Sequence, residues 1–281
     1  MKKAKTISRI FCICSAVIFL FCLVTNKAGV DKNGPKIEMD SEEIQVSISD
    51  EKEAMLAGVS ATDSKDGDVT ESLVVESVSN FVEKGRRKVS IVAFDSDNNI
   101  ARATREIVYT DYESPKFALD SPLLFSVDES DYMKGMTVTD CLDGNITNRI
   151  RITYEEAMNY GAAGENKLVF SVSNSAGDSL KLPVTVEFYD EETRNNPRVA
   201  LSEYLVNMKV GEKISPADYI EGVTIDGRYY ENDGDSSFDF SDIAIQNPVD
   251  GQTPGVFEVE YRVTDSSDRT GVVRLIVVVE E

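Results

Sequence analysis

Three acidic residues within six positions carry the most evident chemistry in this chain. They are Asp63, Asp66 and Asp68, with Gly67 between the last two. A second set, Asp140, Asp143 and Asn145 around Gly144, repeats the spacing. Oxygen ligands this close together, bent by a glycine, are what a hard cation such as Ca²⁺ takes. No glutamate follows at the spacing that would complete a twelve-residue calcium loop, and Asn145 lowers the charge of the second set. The same residues equally suit a tight turn, where Asp and Asn oxygens accept backbone N–H bonds. The turn is the favoured reading and Ca²⁺ the alternative; no other cofactor is expected. Asp95-Ser96-Asp97-Asn98-Asn99 has similar chemistry and reads as a hairpin turn.

Other chemistry is bounded by what the chain contains. Its 281 residues include no His, which rules out Ser–His or Cys–His nucleophiles and His metal ligands. The 50 acids leave room for a glycosidase-like carboxylate pair, but a unit of some 80 residues leaves little room for a deep cleft. No enzyme is expected. Lys84, Arg86, Arg87 and Lys88 form a dense basic patch that reads as a solvated strand face, or as a contact for anionic wall polymer. In the acid-rich segment 226–242, Tyr229, Tyr230, Phe238 and Phe240 are interleaved with carboxylates. These four are the candidate partner-binding residues, although a long loop folding over its own sheet explains them too. A net charge of −21 without a basic stripe argues against nucleic acid.

The amino end suggests the compartment. Residues 1–9 hold Lys2, Lys3, Lys5 and Arg9 and no acid; Ile10 to Val24 then form a 15-residue apolar run broken by Ser15. A basic segment before an apolar core is a secretory signal or signal-anchor. At roughly 22 Å the run is short for a bilayer, which favours cleavage. Thr25-Asn26-Lys27-Ala28-Gly29 offers no small-x-small cleavage site, which favours retention, and Phe21 before Cys22 spoils a lipobox. The expectation is a single-pass anchor in the cell membrane with the carboxyl end outside, the alternative a protein secreted after cleavage. Beyond the anchor one cysteine, Cys141, remains, so no intrachain disulfide can form there.

The elements that must position these residues follow from an internal repeat. Pro35-Lys36-Ile37-Glu38-Met39 recurs as Pro115-Lys116-Phe117-Ala118-Leu119 and as Pro197-Arg198-Val199-Ala200-Leu201. The prolines lie 80 and 82 residues apart. Gly58-Val59, Gly135-Met136 and Gly222-Val223 form a second anchor. Gly85, Gly164 and Gly255 form a third, each followed ten residues later by Asp95-Ser96, Asn174-Ser175 or Asp265-Ser266. Inside that fixed spacing Val89, Ile91, Ala93; Leu168, Phe170, Val172; and Val259, Tyr261, Val263 alternate, as strand residues facing one core do. A second strand follows each turn: Leu180 to Phe188 alternates, while Val272 to Val279 is nearly continuous. Pro183 inside its strand predicts an edge or a bulge. Tyr154 to Tyr160 could form one helical turn.

Ala61-Thr62-Asp63-Ser64-Lys65-Asp66-Gly67-Asp68-Val69-Thr70 resembles the signature of bacterial Ig-like repeats, the type seen in hyalin-like repeats and beside pesticidal crystal proteins. Val138-Thr139-Asp140-Cys141-Leu142-Asp143-Gly144-Asn145-Ile146-Thr147 matches it closely. The third copy departs after Ile225, losing the Asp-Gly-Asp element unless Asp233-Gly234-Asp235 replaces it. The resemblance implies an all-β chain: three tandem Ig-like β-sandwich domains after an N-terminal hydrophobic helix, each burying its own core. The segments are a cytoplasmic basic stretch 1–9, the signal or anchor 10–25, a linker 26–34, and domains 35–112, 113–192 and 193–281. The function it implies is a bacterial surface spacer or adhesion module meeting an unidentified protein or cell-wall glycan. The alternatives are a carbohydrate-binding assembly at the wall and a secreted, Ca²⁺-stabilised adhesin.

Overall fold

The computed structural model describes residues 15–20, 33–154 and 162–281. The first copy of the repeat forms β1 (Lys36–Met39), β2 (Glu43–Val46), β3 (Val59–Asp63), β4 (Gly67–Asp68), β5 (Val74–Glu83), β6 (Arg86–Phe94) and β7 (Ile100–Tyr109). The second forms β8 (Lys116–Leu119), β9 (Leu124–Ser126), β10 (Met136–Asp140), β11 (Gly144–Asn145), β12 (Arg151–Tyr154), β13 (Gly164–Ser173) and β14 (Ser179–Tyr189). The third forms β15 (Arg198–Leu201), β16 (Leu205–Lys209), β17 (Ile220–Ile225), β18 (Arg228–Glu231), β19 (Ala244–Gln246), β20 (Gly255–Thr264) and β21 (Thr270–Glu280). Each copy pairs a three-stranded sheet with a four-stranded one: β1-β3-β4 with β2-β7-β6-β5, β8-β10-β11 with β12-β13-β14-β9, and β15-β17-β18 with β16-β21-β20-β19. The chain is thus all-β, with three tandem Ig-like sandwiches.

One device sets up each sandwich. A buried proline (Pro35, Pro115 or Pro197) precedes the opening strand, where a missing N–H costs the ladder nothing. That strand pairs antiparallel in the small sheet, and the chain then crosses so that β2, β9 and β16 run parallel to the closing strands β7, β14 and β21. The alternating residues of β6, β13 and β20 are buried at 3% or less, as their period of two requires. The ten-residue spacing is the length of β13 and β20 up to their hairpin turns, paired without a register shift from Gly164↔Phe188 to Ser173↔Ser179 and from Gly255↔Val279 to Thr264↔Thr270. Pro183 pairs with Val169 without a bulge. It is tolerated because β9 covers only Glu187–Tyr189 on the other side of β14, so Pro183 occupies an open edge.

The chain divides into two compact units, Met1–Asp111 and Tyr112–Glu281. In the first, Val46, Met55, Val59, Ala61, Leu73, Val89, Ile91, Ala93 and Ile107 form the core between the two sheets. In the second unit the two sandwiches do not keep their interiors apart. Leu275, Val277 and Val279 of β21 enter the third copy's core, whereas Ile276 and Val278 point the other way into a cluster with Leu123, Val186 and Phe188 of the second copy. This is why Val272 to Val279 reads as a nearly continuous apolar run: both faces of the strand are covered. Polar contacts seal the same junction. Arg274, with its side chain 8% exposed, pairs with Glu165 and with Glu260 at 3.0 Å, and lies 4.0 Å from Glu187. The Thr185 N–H and hydroxyl donate to the Glu258 carboxylate at 2.5 and 2.8 Å.

Ser15–Leu20 is helical, and among the described residues no helix is long and apolar enough to cross a membrane. The rest of the apolar run, with Cys12, Cys14 and Cys22, lies outside the described residues, as do 155–161, where a helical turn is expected.

Candidate functional site

At one end of each sandwich the loop after the second anchor meets the turn after the third. In the first copy, Asp63 Oδ1 accepts the N–H groups of Lys65 and Asp66 at 2.8 and 3.0 Å. Asp66 reaches across to the hairpin turn and accepts both the N–H and the hydroxyl of Ser96 at 2.8 Å. Asp68 accepts the Thr70 N–H at 2.9 Å, and bonds from Thr70 hold its carboxyl below the usual range. The second copy repeats these contacts. Asp140 Oδ1 accepts from Leu142 and Asp143 at 3.0 and 2.9 Å, Asp143 takes the Ser175 N–H and hydroxyl at 2.6 and 2.7 Å, and Asn145 accepts from Thr147 at 3.0 Å. Gly67 and Gly144 supply the positive φ, 76° and 69°, that this turn needs.

The structure thus brings Asp63 together with Asp66, and Asp140 with Asp143, while Asp68 and Asn145 accept the first N–H of the short helical turns Thr70–Ser72 and Thr147–Arg149. Among the described residues, no group of three or more Asp, Glu or Cys side chains gathers in a way that could hold a metal ion. Burial pushes the Asp143 carboxyl up, but the Ser175 bonds and the Arg149 guanidinium 2.5 Å away outweigh it and hold the group low.

The third copy solves the same turn differently. Ile225 pairs directly with Arg228, leaving the two-residue turn Asp226-Gly227 with φ of 49° and 76°. Asp-Gly is the favoured sequence for such a hairpin. It occupies the place of the lost Asp-Gly-Asp element; Asp233-Gly234-Asp235 instead forms a separate turn, closed by the Asp235 N–H on Asp233 at 3.0 Å.

Residues that sequence reasoning treated only as a turn complete the site. Asp95, Asn174 and Asp265 are all at least nine-tenths buried. Each uses its δ1 oxygen to accept two backbone N–H groups, two and four residues ahead, at 2.7 to 3.0 Å. Their other δ atoms differ in use: Asp95 Oδ2 accepts the Asn99 amide of its own turn at 2.7 Å. Asn174 Nδ2 donates to Asp140 Oδ2 at 3.1 Å and to the Tyr112 hydroxyl at 2.9 Å, while Tyr112 in turn donates to Asp178 at 2.6 Å. Arg269 bridges Asp265, at 2.6 Å, to Asp226. The shared ten-residue spacing after Gly85, Gly164 and Gly255 is the sequence signal that singles these residues out.

The four aromatic candidates part company. Tyr230, Phe238 and Phe240 are half-buried against the third core, with ring centroids 6.1 and 5.1 Å apart, and the Arg228 guanidinium sits 4.7 Å over Tyr230. Tyr229 is 50% exposed. In the basic patch, Arg86 pairs with Glu43 and with Glu106 at 3.0 Å, and Arg87 lies over the Phe81 ring at 5.8 Å. The Cys141 thiol donates to the Glu113 carbonyl at 3.0 Å, and burial pushes its pKa up.

No protein-family model matches the chain, and no curated protein does. Solved structures to which it is similar include the second CBM51 domain, in complex with GlcNAc, and INT domains of ZmpB from Clostridium perfringens. That match has 16% identity and a TM-score of 0.22, and covers 56% of this chain and 42% of that one. The protocadherin gamma B4 extracellular domain matches at 13% identity and TM-score 0.20, over 88% of this chain and 50% of its own. A lipoprotein from Bacteroides thetaiotaomicron matches at 10% identity and TM-score 0.24, over 58% and 98%. Likenesses of this size carry no functional argument; the repeated Ig-like sandwich rests on the sheets described above.

Proposed function

We propose that this chain is a non-catalytic spacer and interaction module of a bacterial surface, built from bacterial Ig-like repeats and held in the cell membrane by its amino end. The observation that carries the reading is where the acidic chemistry goes. The aspartates whose spacing suits a metal close turns and join loop to hairpin, a structural use repeated in the first two copies. The basic residues 2–9 ahead of a 15-residue apolar run supply the anchor, and the 50 acids keep the remainder soluble outside. The partner face belongs to the segment 226–242. Tyr229 alone of its four aromatics is exposed, which suits a single anchor in a protein contact, with Tyr230, Phe238 and Phe240 packed as its support.

Fractionation of cells producing the full chain with a carboxyl-terminal tag tests this role. The tag is expected in the membrane fraction and is expected to be lost when protease is added to intact cells. A tag protected until the cells are broken overturns the surface role, and a tag free in the medium overturns the anchor.

A further inference from the structure

The first two copies match at this turn except at one side chain, and the difference leaves a buried oxygen of the first copy without a partner. Asp63 and Asp140 sit in matching frames, each with Oδ1 on the N–H groups two and three residues ahead. Asp95 and Asn174 likewise match, each with its δ1 oxygen on the N–H groups two and four residues ahead. In the second copy the δ2 atoms of the pair meet as an amide donor and a carboxylate acceptor, 3.1 Å apart. In the third, Ile225 holds the place of Asp63 and Asp140, and Arg269 reaches from Asp265 to the exposed Asp226 instead. In the first, Asp95 stands at the Asn174 position, so the amide donor is missing there, and its Oδ2 accepts the Asn99 amide at 2.7 Å. Asp63 is 8% exposed, and its Oδ2 is buried with no hydrogen-bond partner. A buried carboxylate oxygen left this way costs several times what a bonded one does. Among the described residues, Asp66 and Asp97 add negative charge beside the pair, with Lys65 on Asp97 at 2.6 Å.

We propose that the Asp63–Asp95 pair of the first sandwich holds one divalent cation of the calcium type, which does there for the Asp63 oxygen what Asn174 does for Asp140 in the second. The inference is independent of the surface role proposed above. It also differs from calcium loops at Asp63/Asp66/Asp68 and Asp140/Asp143/Asn145, because it assigns a site to one copy and denies it to the other two. Two carboxylates are a small ligand set, so the affinity belongs with extracellular modules, at about 10⁻⁴ to 10⁻³ M.

The test is calcium titration of the full chain in detergent, followed by calorimetry and thermal melting against a chelator control. One site per chain is expected, with Tm of the first unit raised by roughly 5–10 °C at about tenfold excess over Kd. Asp95→Asn gives the first copy the amide of the second. It is expected to melt at least as high as the parent without calcium and to lose the calcium response. That variant keeps the test readable where Asp63→Ala would remove the turn that closes the sandwich. A parent chain without response at 10 mM calcium overturns the proposal. So does a response that survives Asp95→Asn, or a stoichiometry of two or three.

Discussion

Asp143 shows what a single aspartate does in this fold. Its two oxygens take the Ser175 N–H and hydroxyl and the Arg149 guanidinium, so it ties a loop to a hairpin 32 residues away in sequence. These bonds hold its pKa below the ordinary value against the opposing effect of burial. A carboxyl whose folded pKa is depressed contributes stability that is complete above the unfolded value, near pH 4, and is lost as pH falls through the folded value. Asp143→Asn is therefore expected to cost the 112–281 unit about 1–2 kcal/mol at pH 7 and to flatten its loss of stability below about pH 4. Melting curves from pH 7 to pH 3 check this, and an unchanged acid limb in the variant would contradict it. Asp63 and Asp140 are legible as turn residues because an Asx turn is a local pattern, whereas Asp66 and Asp143 reach across to Ser96 and Ser175. Their partners Ser96, Asn174 and Ser175 are not legible, because pairing across about 30 residues is set by how the sheets stack, to which a one-dimensional pattern is blind. In the third copy a two-residue Asp-Gly turn replaced the longer loop, so a search for Asp-Gly-Asp looked in the wrong place.

At the scale of elements, β20 and β21 explain why one repeat differs in pattern from its neighbours. The alternation of β6, β13 and β20 has one face to bury, and that much was readable as period two. The apolar run of β21, broken only by Arg274, has two, and the second face is supplied by another copy of the repeat, so its length is visible in the sequence and its cause is not. Ile276 is 2% exposed and packs among second-copy residues rather than its own sandwich. Ile276→Ala is expected to destabilise the 112–281 unit by about 2–4 kcal/mol, read from urea unfolding. It should also broaden or split that unit's transition, because the residue couples two cores. A single sharp transition at unchanged midpoint would mean that the junction carries no stability. Tyr261 tests a connection inside one sandwich. Its ring is fully buried on β20, and its hydroxyl donates to the Pro216 carbonyl at 2.8 Å, fixing the short helical turn Pro216–Tyr219 against the strand. Tyr261→Phe keeps the ring and orphans that carbonyl, for an expected loss of about 1 kcal/mol in the same assay.

For the molecule as a whole, charge acts against folding. Of 29 Lys and Arg, four lie in residues 1–9, so 25 stand against 50 acids over the remainder. Local pairing relieves part of this: Arg86, Arg269 and Arg274 each contact two or more carboxylates. The surplus acids repel over distances set by the Debye length, roughly 30 Å at 0.01 M salt and 8 Å at 0.15 M. Exposed ion pairs contribute little, and salt weakens them, whereas screening of the surplus acids favours the compact state. The two effects have opposite signs, and the excess of acids decides between them. Tm of the full chain is therefore expected to rise as NaCl goes from 0.01 to 0.15 M and to change less beyond, once the screening length is below the spacing of surface charges. Potassium chloride should match sodium chloride, because screening depends on ionic strength, while a few millimolar calcium should exceed either at the first unit alone. A Tm that falls with NaCl would mean that the arginine-centred pairs outweigh the surplus, and that the acidity of this chain serves solubility without straining its fold.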